Sequence, residues 1–381
     1  MQNLKDKLHL MRDTLKAGRD RPFRKIGEGQ FSTVWLARDT ERNRYVAIKI
    51  GFTWFLKSQV DEVSVMKLLR DSSVNEQPGK NHVVKLLDDF VQDGPNGSHV
   101  CIVTKPLGRQ VEMALSDFDL ESPAPYLFCR TICIQALHAL GYLHRQRVMH
   151  GDFHPGNILL ALTYEIDSQT EALIKAHNQR GNDLNDPDDP YTLDDQTLIS
   201  AEDSSNVHIV LVDLGASTTP ANTPNNKFAY PILYRAPEVV MDVGPITAKA
   251  DIWAIGCVIF RIITGIPLFA PECWGNTDEA NLEQIVGLVE RLGSVPDSLR
   301  TAWLDPDSHL TSDGLLKNPY PEYERGLPLD EAIWEVKPSG MGEDELVAFI
   351  DFMSLIFLFE PAERSPTEEL LQHRWAQERF F

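Results

Sequence analysis

Cysteine is scarce in this chain of 381 residues: there are five, and none forms a C-x-x-C pair. They are Cys101, Cys129, Cys133, Cys257 and Cys273. An odd number of unpaired cysteines argues against a disulfide framework and against a cysteine zinc site. The cysteine usage therefore indicates a reducing compartment.

Positive charge is also in short supply. The chain has 36 Lys and Arg against 56 Asp and Glu, which gives a formal net charge of -20. A chain this acidic should repel nucleic acid and acidic membranes, so we expect neither as a direct partner. A basic partner suits it better, although solubility alone would also account for the balance.

Long uninterrupted apolar runs are missing as well. The first 22 residues are charged throughout and contain no apolar core of a secretory signal. The most apolar late stretch, DIWAIGCVIFRIITGIPLF, opens on Asp251 and carries Arg261 in its middle. Charges in these places predict a buried helix rather than a membrane span. No internal repeat of fixed period is visible.

The distribution of apolar residues predicts a two-part α+β fold. The apolar fraction of 43% is that of a globular protein, and 381 residues are too many for one core. Short β-rich runs separated by turns, with one helix from Val60 to Leu69, predict a small lobe of five strands and one helix over residues 23–107. From residue 108 to 381 the pattern is mainly helical.

Two segments differ from their surroundings. In residues 1–22, Leu4, Leu8, Met11 and Leu15 recur at helical spacing, which predicts a short amphipathic helical extension. Residues 163–206 hold eleven acids against two bases and few large apolar groups. This composition predicts an acidic insertion, with a helix over EALIKAHNQR.

The first chemical motif is IGEGQFSTV. Gly27 and Gly29 lie between two predicted strands, where their backbone N–H groups can face phosphate oxygens. Taken alone, the pair also fits an ordinary hairpin turn. Lys49 follows on an apolar strand and needs a partner, which Glu62 on the next helix can supply. The alternative is a lysine at the sheet edge that reaches water.

The second motif is HGDFHPGNILL. Asp152 and Asn157 lie five residues apart in a loop after a buried helix, and Asp213 lies in the turn VDLG. Carboxylate and amide oxygens suit Mg²⁺ bound with phosphate, and a further carboxylate can accept the proton of an attacking hydroxyl. His150 and His154 could instead indicate zinc, but no third ligand follows at the spacing of a zinc site.

The order of these motifs is more specific than any one of them. A Gly-rich hairpin, a strand Lys, a helix Glu, H-x-D-x-x-x-x-N and D-x-G are followed by APE at residues 236–238. In this order the chain resembles the eukaryotic protein kinase superfamily from about Phe23 to Trp375. The resemblance implies a two-lobed α+β fold, with a small β-rich N-terminal lobe and a larger, mainly helical C-terminal lobe.

The resemblance also implies roles for individual residues. Asp152 would be the catalytic base, and Lys49, held by Glu62, would position the phosphates of ATP. His154 takes the place of a lysine that contacts the γ-phosphate, and Asn157 and Asp213 would hold Mg²⁺. The implied ATP-binding residues are Ile26, Gly27, Gly29, Val34, Ala47, Lys49, Thr104, Lys105, Leu107 and Leu159. Among structural residues, Glu238 would pair with Arg364, and Asp251 would brace the catalytic loop.

Several stretches are similar to a narrower group, the SR protein kinases. These are GQFSTVWLARD, VVKLLDDF, DGPNGSHVCIV and DLG in place of DFG. That group phosphorylates serines in arginine-serine-rich proteins and has a spacer where residues 163–206 fall. Its acidic docking groove matches Glu283 and Glu290, which lie two helical turns apart on one face. By pattern alone they would be a solvated helix surface. We expect a monomer in the cytoplasm and nucleus.

Four departures from the kinase pattern stand out. Gly151 replaces the usual arginine of the catalytic loop, which argues against activation by loop phosphorylation. His154 replaces a lysine and is only partly protonated near neutral pH. Ile232 replaces an arginine before the YRAPE tyrosine, and the spacing from Lys49 to Glu62 is about two residues short.

Two alternatives to an SR-type protein kinase remain open. HGDFHPGN is closer to small-molecule phosphotransferases, but those enzymes have neither the YRAPE segment nor the DIWAIGCVIF helix. The other alternative is a pseudokinase that binds basic partners as a scaffold. The presence of Lys49, Glu62, Asp152, Asn157 and Asp213 argues against it.

Overall fold

The computed structural model describes residues 15, 20–29, 31–51, 56–72, 77–94, 97–116, 125–162, 166–168, 207–220, 229–271, 278–317, 326–338 and 340–377. Of the predicted N-terminal extension at residues 1–22, the structure describes only Leu15, which is buried, and residues 20–22, which lie in a strand. Of the acidic insertion at 163–206 it describes only Ile166–Ser168. Within the described part of the chain, no helix is both long and apolar enough to cross a membrane.

The chain divides into two compact units, each assembled from separate stretches of sequence. The first comprises Met1–Gln77, Asn81–Val111 and Ile158–Gly215. The second comprises Pro78–Lys80, Glu112–Asn157 and Ala216–Phe381. This division differs from a single boundary between residues 107 and 108, because residues 158–215 group with the N-terminal sheet.

The first unit contains a five-stranded antiparallel sheet in the order β1-β2-β3-β5-β4. The strands are β1 (Asp20–Glu28), β2 (Ser32–Asp39), β3 (Arg44–Gly51), β4 (Asp88–Gly94) and β5 (Gly97–Thr104), with helix α1 (Leu56–Asp71) between β3 and β4. The prediction of five strands and one helix is confirmed. β1 begins at Asp20, slightly before the predicted start of the lobe.

One face of this sheet packs into the core, and the other presents Lys49 and its neighbours. Alternate residues of a strand point to opposite faces, so Trp35, Ala37, Val46 and Ile48 share one face and form a buried core with Cys101. The opposite face carries the residues in register between them, including Val34 opposite Lys49. The core on one face thereby fixes what the other face presents.

A short hairpin completes the first unit. β6 (Ile158–Leu160) pairs antiparallel with β7 (Ile209–Leu211). The hairpin is tied to the chain after β5, because Leu159 bridges Gln110 and the N–H of Gly108 donates to the carbonyl of Leu160 at 2.8 Å. These bonds explain why the hairpin groups with the sheet. The 3-10 turn Ile166–Ser168 also belongs here, with Ile166 buried beside Leu36 and Tyr45.

The remaining helices lie beyond β5 and are mostly in the second unit. They are α2 (Val111–Leu115), α3 (Tyr126–Arg145), α4 (Pro237–Val240), α5 (Ala248–Thr264), α6 (Asp278–Leu292), α7 (Asp297–Arg300), α8 (Pro306–His309), α9 (Leu329–Glu335), α10 (Glu343–Ser354), α11 (Thr367–Leu370) and α12 (Arg374–Gln377). Together with the sheet they confirm the predicted α+β fold class.

Helix α5 is the buried helix predicted from DIWAIGCVIF. Thr247 caps its N-terminus by accepting a hydrogen bond from the N–H of Lys249 at 3.3 Å. Gly265 ends it with a φ of 81°, the left-handed conformation that glycine adopts without penalty. Trp253 is fully buried and stacks on Phe269 with ring centroids 5.5 Å apart. The helix is buried on nearly every side, which explains why its sequence has few polar residues.

Candidate active site

Lys49 lies at the centre of an ion cluster in the first unit. Its Nζ donates to both carboxylate oxygens of Glu62 at 2.9 Å and to Oδ1 of Asp213 at 2.8 Å. β3 supplies the lysine, α1 the glutamate and the turn after β7 the aspartate. Three residues predicted from separate motifs are therefore in direct contact.

The charge balance of this cluster keeps Lys49 protonated. Burial disfavours the ammonium form, but the carboxylates of Asp213 and Glu62 outweigh it and raise the pKa of Lys49 above its ordinary value. Asp213 has a positive φ of 59°, which is unusual for a residue with a side chain. Its Oδ1 also accepts from the N–H of Gly215 at 3.3 Å, which supports the turn. The side chain of Asp213 remains 45% exposed, so its carboxylate is accessible to a ligand.

The predicted adenine-covering residues share the face of the sheet that carries Lys49. Val34 is opposite Lys49 in the register of β2 and β3, and Ala47 is opposite Thr104 in that of β3 and β5. Gly27 lies opposite Val34, and a Cβ atom at Gly27 would lie 3.4 Å from that of Val34. That distance is an ordinary van der Waals contact, so the two strands lie close together at this point.

The other predicted nucleotide-binding residues are placed around this face. The N–H of Gly29 donates to the carbonyl of Ser32 at 2.9 Å and closes the β1–β2 turn. Ile26 packs against the cluster of Leu36 and Tyr45. The linker after β5 carries an exposed Lys105 and a partly buried Leu107, and Leu159 lies in β6. All ten predicted ATP-binding residues belong to the first unit.

The catalytic loop is in the second unit. The Asn157 amide donates to the Asp152 carbonyl at 2.9 Å and to Asp152 Oδ2 at 3.3 Å. Because the amide nitrogen faces Asp152, the Asn157 side-chain oxygen is the group left for another ligand. The side chain of Asp152 is 21% exposed, so it is held by the loop and reachable at its surface. The predicted base and one predicted metal ligand are thus adjacent.

His154 lies beside Asp152 in the same loop. Its Nδ1 accepts a hydrogen bond from the N–H of Gly156 at 3.1 Å, and its Nε2 is 3.8 Å from Asp152 Oδ2. An Nδ1 that accepts carries no proton, so this geometry belongs to the neutral ring with the proton on Nε2. The ring therefore directs an N–H, rather than a permanent positive charge, towards the base.

Asp251 braces the catalytic loop from helix α5. Its side chain is fully buried and accepts from the N–H of His150 at 2.8 Å and of Gly151 at 3.0 Å. His144 and Tyr230 bind the same carboxylate, at 3.0 and 2.6 Å. Sequence analysis missed these two residues, because only the fold brings them to Asp251. Although burial alone would raise it, these hydrogen bonds hold the pKa of Asp251 below its ordinary value.

Gly151 has a local reason to be glycine. Its φ is 79°, and a Cβ atom there would lie 2.4 Å from the carbonyl oxygen of Ala216. Ile232, at another departure from the kinase pattern, is buried, with 5% exposure. At Gly151 the backbone conformation and the Ala216 carbonyl leave no room for an arginine. At Ile232 the side chain is part of the buried packing of the second unit.

The predicted structural pair Glu238 and Arg364 is in contact. Two parallel hydrogen bonds, at 2.8 and 2.7 Å, join the guanidinium to the carboxylate, and both side chains are buried. Arg364 also donates to the backbone carbonyls of Lys249, Leu358 and Phe359. Every charge is met by a partner, as a buried ion pair requires.

The predicted docking residues Glu283 and Glu290 both lie on helix α6 and are partly exposed. The buried face of α6 consists of Ala280, Gln284, Ile285, Leu288 and Val289. Glu290 lies against Gly326, whose Cβ, if present, would be 2.6 Å from Glu290 Oε2. The two carboxylates share a face, and the chain at Gly326 covers part of one.

The chain belongs to the protein kinase family, because a family model described as the protein kinase domain matches residues 21–376. Serine/threonine-protein kinase SRPK of Physarum polycephalum is 29% identical over 93% of this chain and 84% of its own length. Protein kinase dsk1 of Schizosaccharomyces pombe is 24% identical over 93% of this chain and 80% of its own.

A further relative is similar to part of this chain, and a solved structure shares its fold. SRSF protein kinase 3 of Mus musculus is 39% identical over 149 residues, which are 38% of this chain and 26% of the relative. A crystal structure of a kinase domain shares the fold with a TM-score of 0.65 and 20% identity, over 94% of this chain and 95% of the other. The protein is an ATP-dependent serine/threonine protein kinase of the SRPK type. The match to the protein kinase domain sets aside the small-molecule phosphotransferase alternative.

The residues present suit the nucleotide and metal that a protein kinase uses. Asp213 offers a partly exposed carboxylate and Asn157 an amide oxygen, both hard oxygen donors of the kind Mg²⁺ prefers. Lys49 supplies a fixed ammonium for phosphate oxygens. Among the described residues, no group of three or more His, Cys, Asp or Glu is arranged to hold a metal ion, so the zinc alternative gains no support.

Proposed function

We propose that this kinase transfers the γ-phosphate of Mg-ATP to serines of arginine-serine-rich proteins. The observation that carries the proposal is the pair of partly exposed carboxylates, Glu283 and Glu290, on one face of α6 in a chain of net charge -20. Guanidinium groups bind carboxylates strongly and in fixed geometry. The names of relatives such as SRSF protein kinase 3 point to the same substrate class.

In the proposed mechanism, the first unit holds the nucleotide. Lys49 binds phosphate oxygens, and Glu62 keeps the ammonium oriented and charged. Asp213 and Asn157 would hold Mg²⁺, which neutralises charge on the phosphates when bound. Thr104 and Leu107 would line the adenine site, with Leu107 donating its backbone N–H.

The second unit would act on the substrate hydroxyl. Asp152 accepts the proton of the serine hydroxyl as its oxygen attacks the γ-phosphorus, while the bond from the γ-phosphorus to the β–γ bridging oxygen breaks and ADP leaves. Asn157 restrains Asp152 through its amide, and Asp251 restrains the backbone just before it. His154 would contribute an N–H beside the reacting groups. Precise positioning is most of what phosphoryl transfer requires of a protein.

A transfer assay against several acceptors tests the substrate class. Purified protein with labelled Mg-ATP should phosphorylate Arg-Ser repeat peptides more efficiently than a general basic protein, and should not phosphorylate aminoglycosides. Transfer to the basic protein without any preference for Arg-Ser peptides would contradict the proposed specificity. Absence of transfer to every acceptor, with ATP still bound, would instead favour a scaffold that binds basic partners.

We further propose that the protein acts as a monomer in the cytoplasm and nucleus. In the described part of the chain, Cys101, Cys129, Cys133 and Cys257 are buried and no disulfide joins them, which suits a reducing compartment. Fluorescent fusions and sedimentation would test location and assembly. Confinement to a secretory compartment, or a stable dimer at micromolar concentration, would contradict these expectations.

A further inference from the structure

The carboxylate of Asp251 is shared evenly between the catalytic loop and two side chains. Oδ2 accepts from the N–H of His150 and from the His144 ring, at 2.8 and 3.0 Å. Oδ1 accepts from the N–H of Gly151 at 3.0 Å and from the Tyr230 hydroxyl at 2.6 Å. Each oxygen therefore holds one loop N–H and one side chain, and Tyr230 fixes the oxygen that binds Gly151.

Tyr230 is itself fixed by the backbone around it. The N–H of Ala229 donates to the carbonyl of Gly151 at 3.1 Å, one residue from the phenol contact. Arg235 Nε donates to the carbonyl of Tyr230 at 2.8 Å. The tyrosine side chain is only 1% exposed. The segment that leads to the APE motif thus meets the catalytic loop through both its backbone and one buried side chain.

The Tyr230 hydroxyl is the donor in its hydrogen bond with Asp251. Asp251 is ionised in this environment, since its hydrogen bonds keep its pKa below the ordinary value despite burial. Burial, together with the charge of Asp251, raises the pKa of Tyr230 well above its ordinary value. The phenol consequently keeps its proton, and a hydrogen bond from a neutral donor to a buried carboxylate is among the stronger kinds.

Gly151 shows why such a link is needed here. The arginine that protein kinases commonly carry at this position can bind a phosphorylated activation segment. At Gly151, however, the positive φ and the carbonyl of Ala216 leave no space for a Cβ atom. The Tyr230 hydroxyl joins the same two segments without a phosphate.

We propose that Tyr230 is a positioning residue of the kinase reaction, whose hydroxyl, through Asp251, fixes the backbone of His150 and Gly151 and thereby the position of Asp152. The proposal rests on the assignment of Asp152 as the base. It adds a direct hydrogen bond that keeps the catalytic loop in place independently of activation-segment phosphorylation. Nothing in the sequence pattern distinguishes Tyr230 from an ordinary buried tyrosine.

The test compares Tyr230→Phe with a matched control, Tyr126→Phe. Tyr126 is also buried in the second unit, and its hydroxyl also donates to a buried carboxylate, Glu345, at 2.6 Å. Both substitutions remove one hydroxyl and keep the ring. The Tyr126 hydroxyl also accepts from Trp375 Nε1 at 3.3 Å, so Tyr126→Phe should lower thermal stability at least as much as Tyr230→Phe. Tyr126 and Glu345 join α3 to α10, away from the loop hydrogen bonds described above.

The expected result is a difference in catalysis rather than in stability. Tyr230→Phe should lower kcat about tenfold, since a hydrogen bond to a charged group contributes on that order, while KM for ATP changes less than about twofold. Tyr126→Phe should leave both constants unchanged. Hydrogen exchange should rise in residues 148–153 of Tyr230→Phe and stay unchanged there in Tyr126→Phe. Wild-type protein shown by mass spectrometry to carry no phosphate should be fully active.

The assay uses whichever acceptor the wild-type protein phosphorylates best, so that an incorrect substrate class does not affect the outcome. Equal kcat values for wild type and Tyr230→Phe would overturn the positioning role, whatever the acceptor. Equal losses of kcat in both tyrosine variants would also overturn it, because the effect would then be one of stability. Unaltered hydrogen exchange in the loop would show that the hydroxyl does not hold it.

Discussion

The backbone conformation at Gly151 restricts which residue can occupy this position. A φ of 79° disfavours every residue with a Cβ atom, and the Ala216 carbonyl occupies the space where that atom would lie. An arginine at this position would therefore disrupt the loop rather than restore the common kinase pattern. The absence of that arginine follows from local geometry.

Substituting Gly151 should be costly for that reason. We expect Gly151→Ala to lose about 1–2 kcal/mol of unfolding free energy from the positive φ and about 1–3 kcal/mol more from the clash. Gly265→Ala is the matched control, because Gly265 has a similar φ of 81°, but among the described residues beyond its own neighbours and helix no atom lies within 4 Å of the place that a Cβ atom would take. Urea denaturation measures both. Equal losses would show that Ala216 moves aside freely.

His154 should make turnover depend on pH. A lysine at this position stays charged, whereas a histidine gains its charge only as the pH falls through its pKa. We expect His154→Lys to raise kcat or to flatten its pH dependence between about pH 6 and 8. The comparison is a pair of pH–rate profiles measured with saturating Mg-ATP. Superimposable profiles would deprive His154 of a catalytic role.

Single residues were predictable where chemistry restricts the choice. Lys49, Glu62, Asp152, Asn157 and Asp213 could be selected because an ordered series of motifs demands those side chains. His144 and Tyr230 could not, since a buried histidine or tyrosine has no distinctive neighbours in sequence. Their contact with Asp251 spans 107 and 21 residues and exists only once α5 is folded.

Helix α6 has a buried apolar face and a partly exposed face that carries two glutamates. Its apolar residues pack inward, while Glu283 and Glu290 stay partly exposed on one side. Seven residues correspond to about 700° of rotation, so the two carboxylates are nearly aligned. Asp278, five residues before Glu283, is displaced from Glu283 by about 140° and from Glu290 by about 120°, and it is exposed. One helix therefore supplies both the test position and its control.

Charge reversal on this helix tests docking. Glu283→Lys and Glu290→Lys together should raise KM for a long Arg-Ser substrate about three- to tenfold, because each lost attraction becomes a repulsion, with kcat little changed. Asp278→Lys should leave KM within about twofold. Steady-state kinetics with long and short peptides provide the measurement. If only short-peptide turnover changes, or if Asp278→Lys has the same effect, the groove is assigned wrongly.

Elements with a clear period were predictable and short ones were not. Short β-rich runs bounded by turns identified β2 and β3, and an almost uninterrupted apolar run identified α5. The grouping of the β6–β7 hairpin with the N-terminal sheet could not be predicted, because it depends on hydrogen bonds to Gly108 and Val84. Helices of four residues, such as α7 and α8, have too few turns to show a period.

The charge of the whole molecule should influence substrate binding. A surface with net charge -20 attracts an arginine-rich peptide over about one Debye length, roughly 10 Å at 0.1 M salt. We expect KM for an Arg-Ser peptide to rise as salt increases from about 0.05 to 0.3 M, while kcat stays nearly constant. Initial rates at several salt concentrations test this. A KM that is independent of salt would mean that long-range attraction contributes little.

The central claim, that Asp152 is the catalytic base, can be tested directly. The first unit brings Lys49, Glu62 and Asp213 together, and the second holds Asp152 and Asn157. Asp152→Asn keeps the side-chain shape and removes both the negative charge and the ability to accept a proton. We therefore expect it to bind ATP as the wild type does and to transfer labelled phosphate to an Arg-Ser peptide about 10²- to 10⁴-fold more slowly. Wild-type transfer by Asp152→Asn would contradict the assignment of the base and the mechanism built on it.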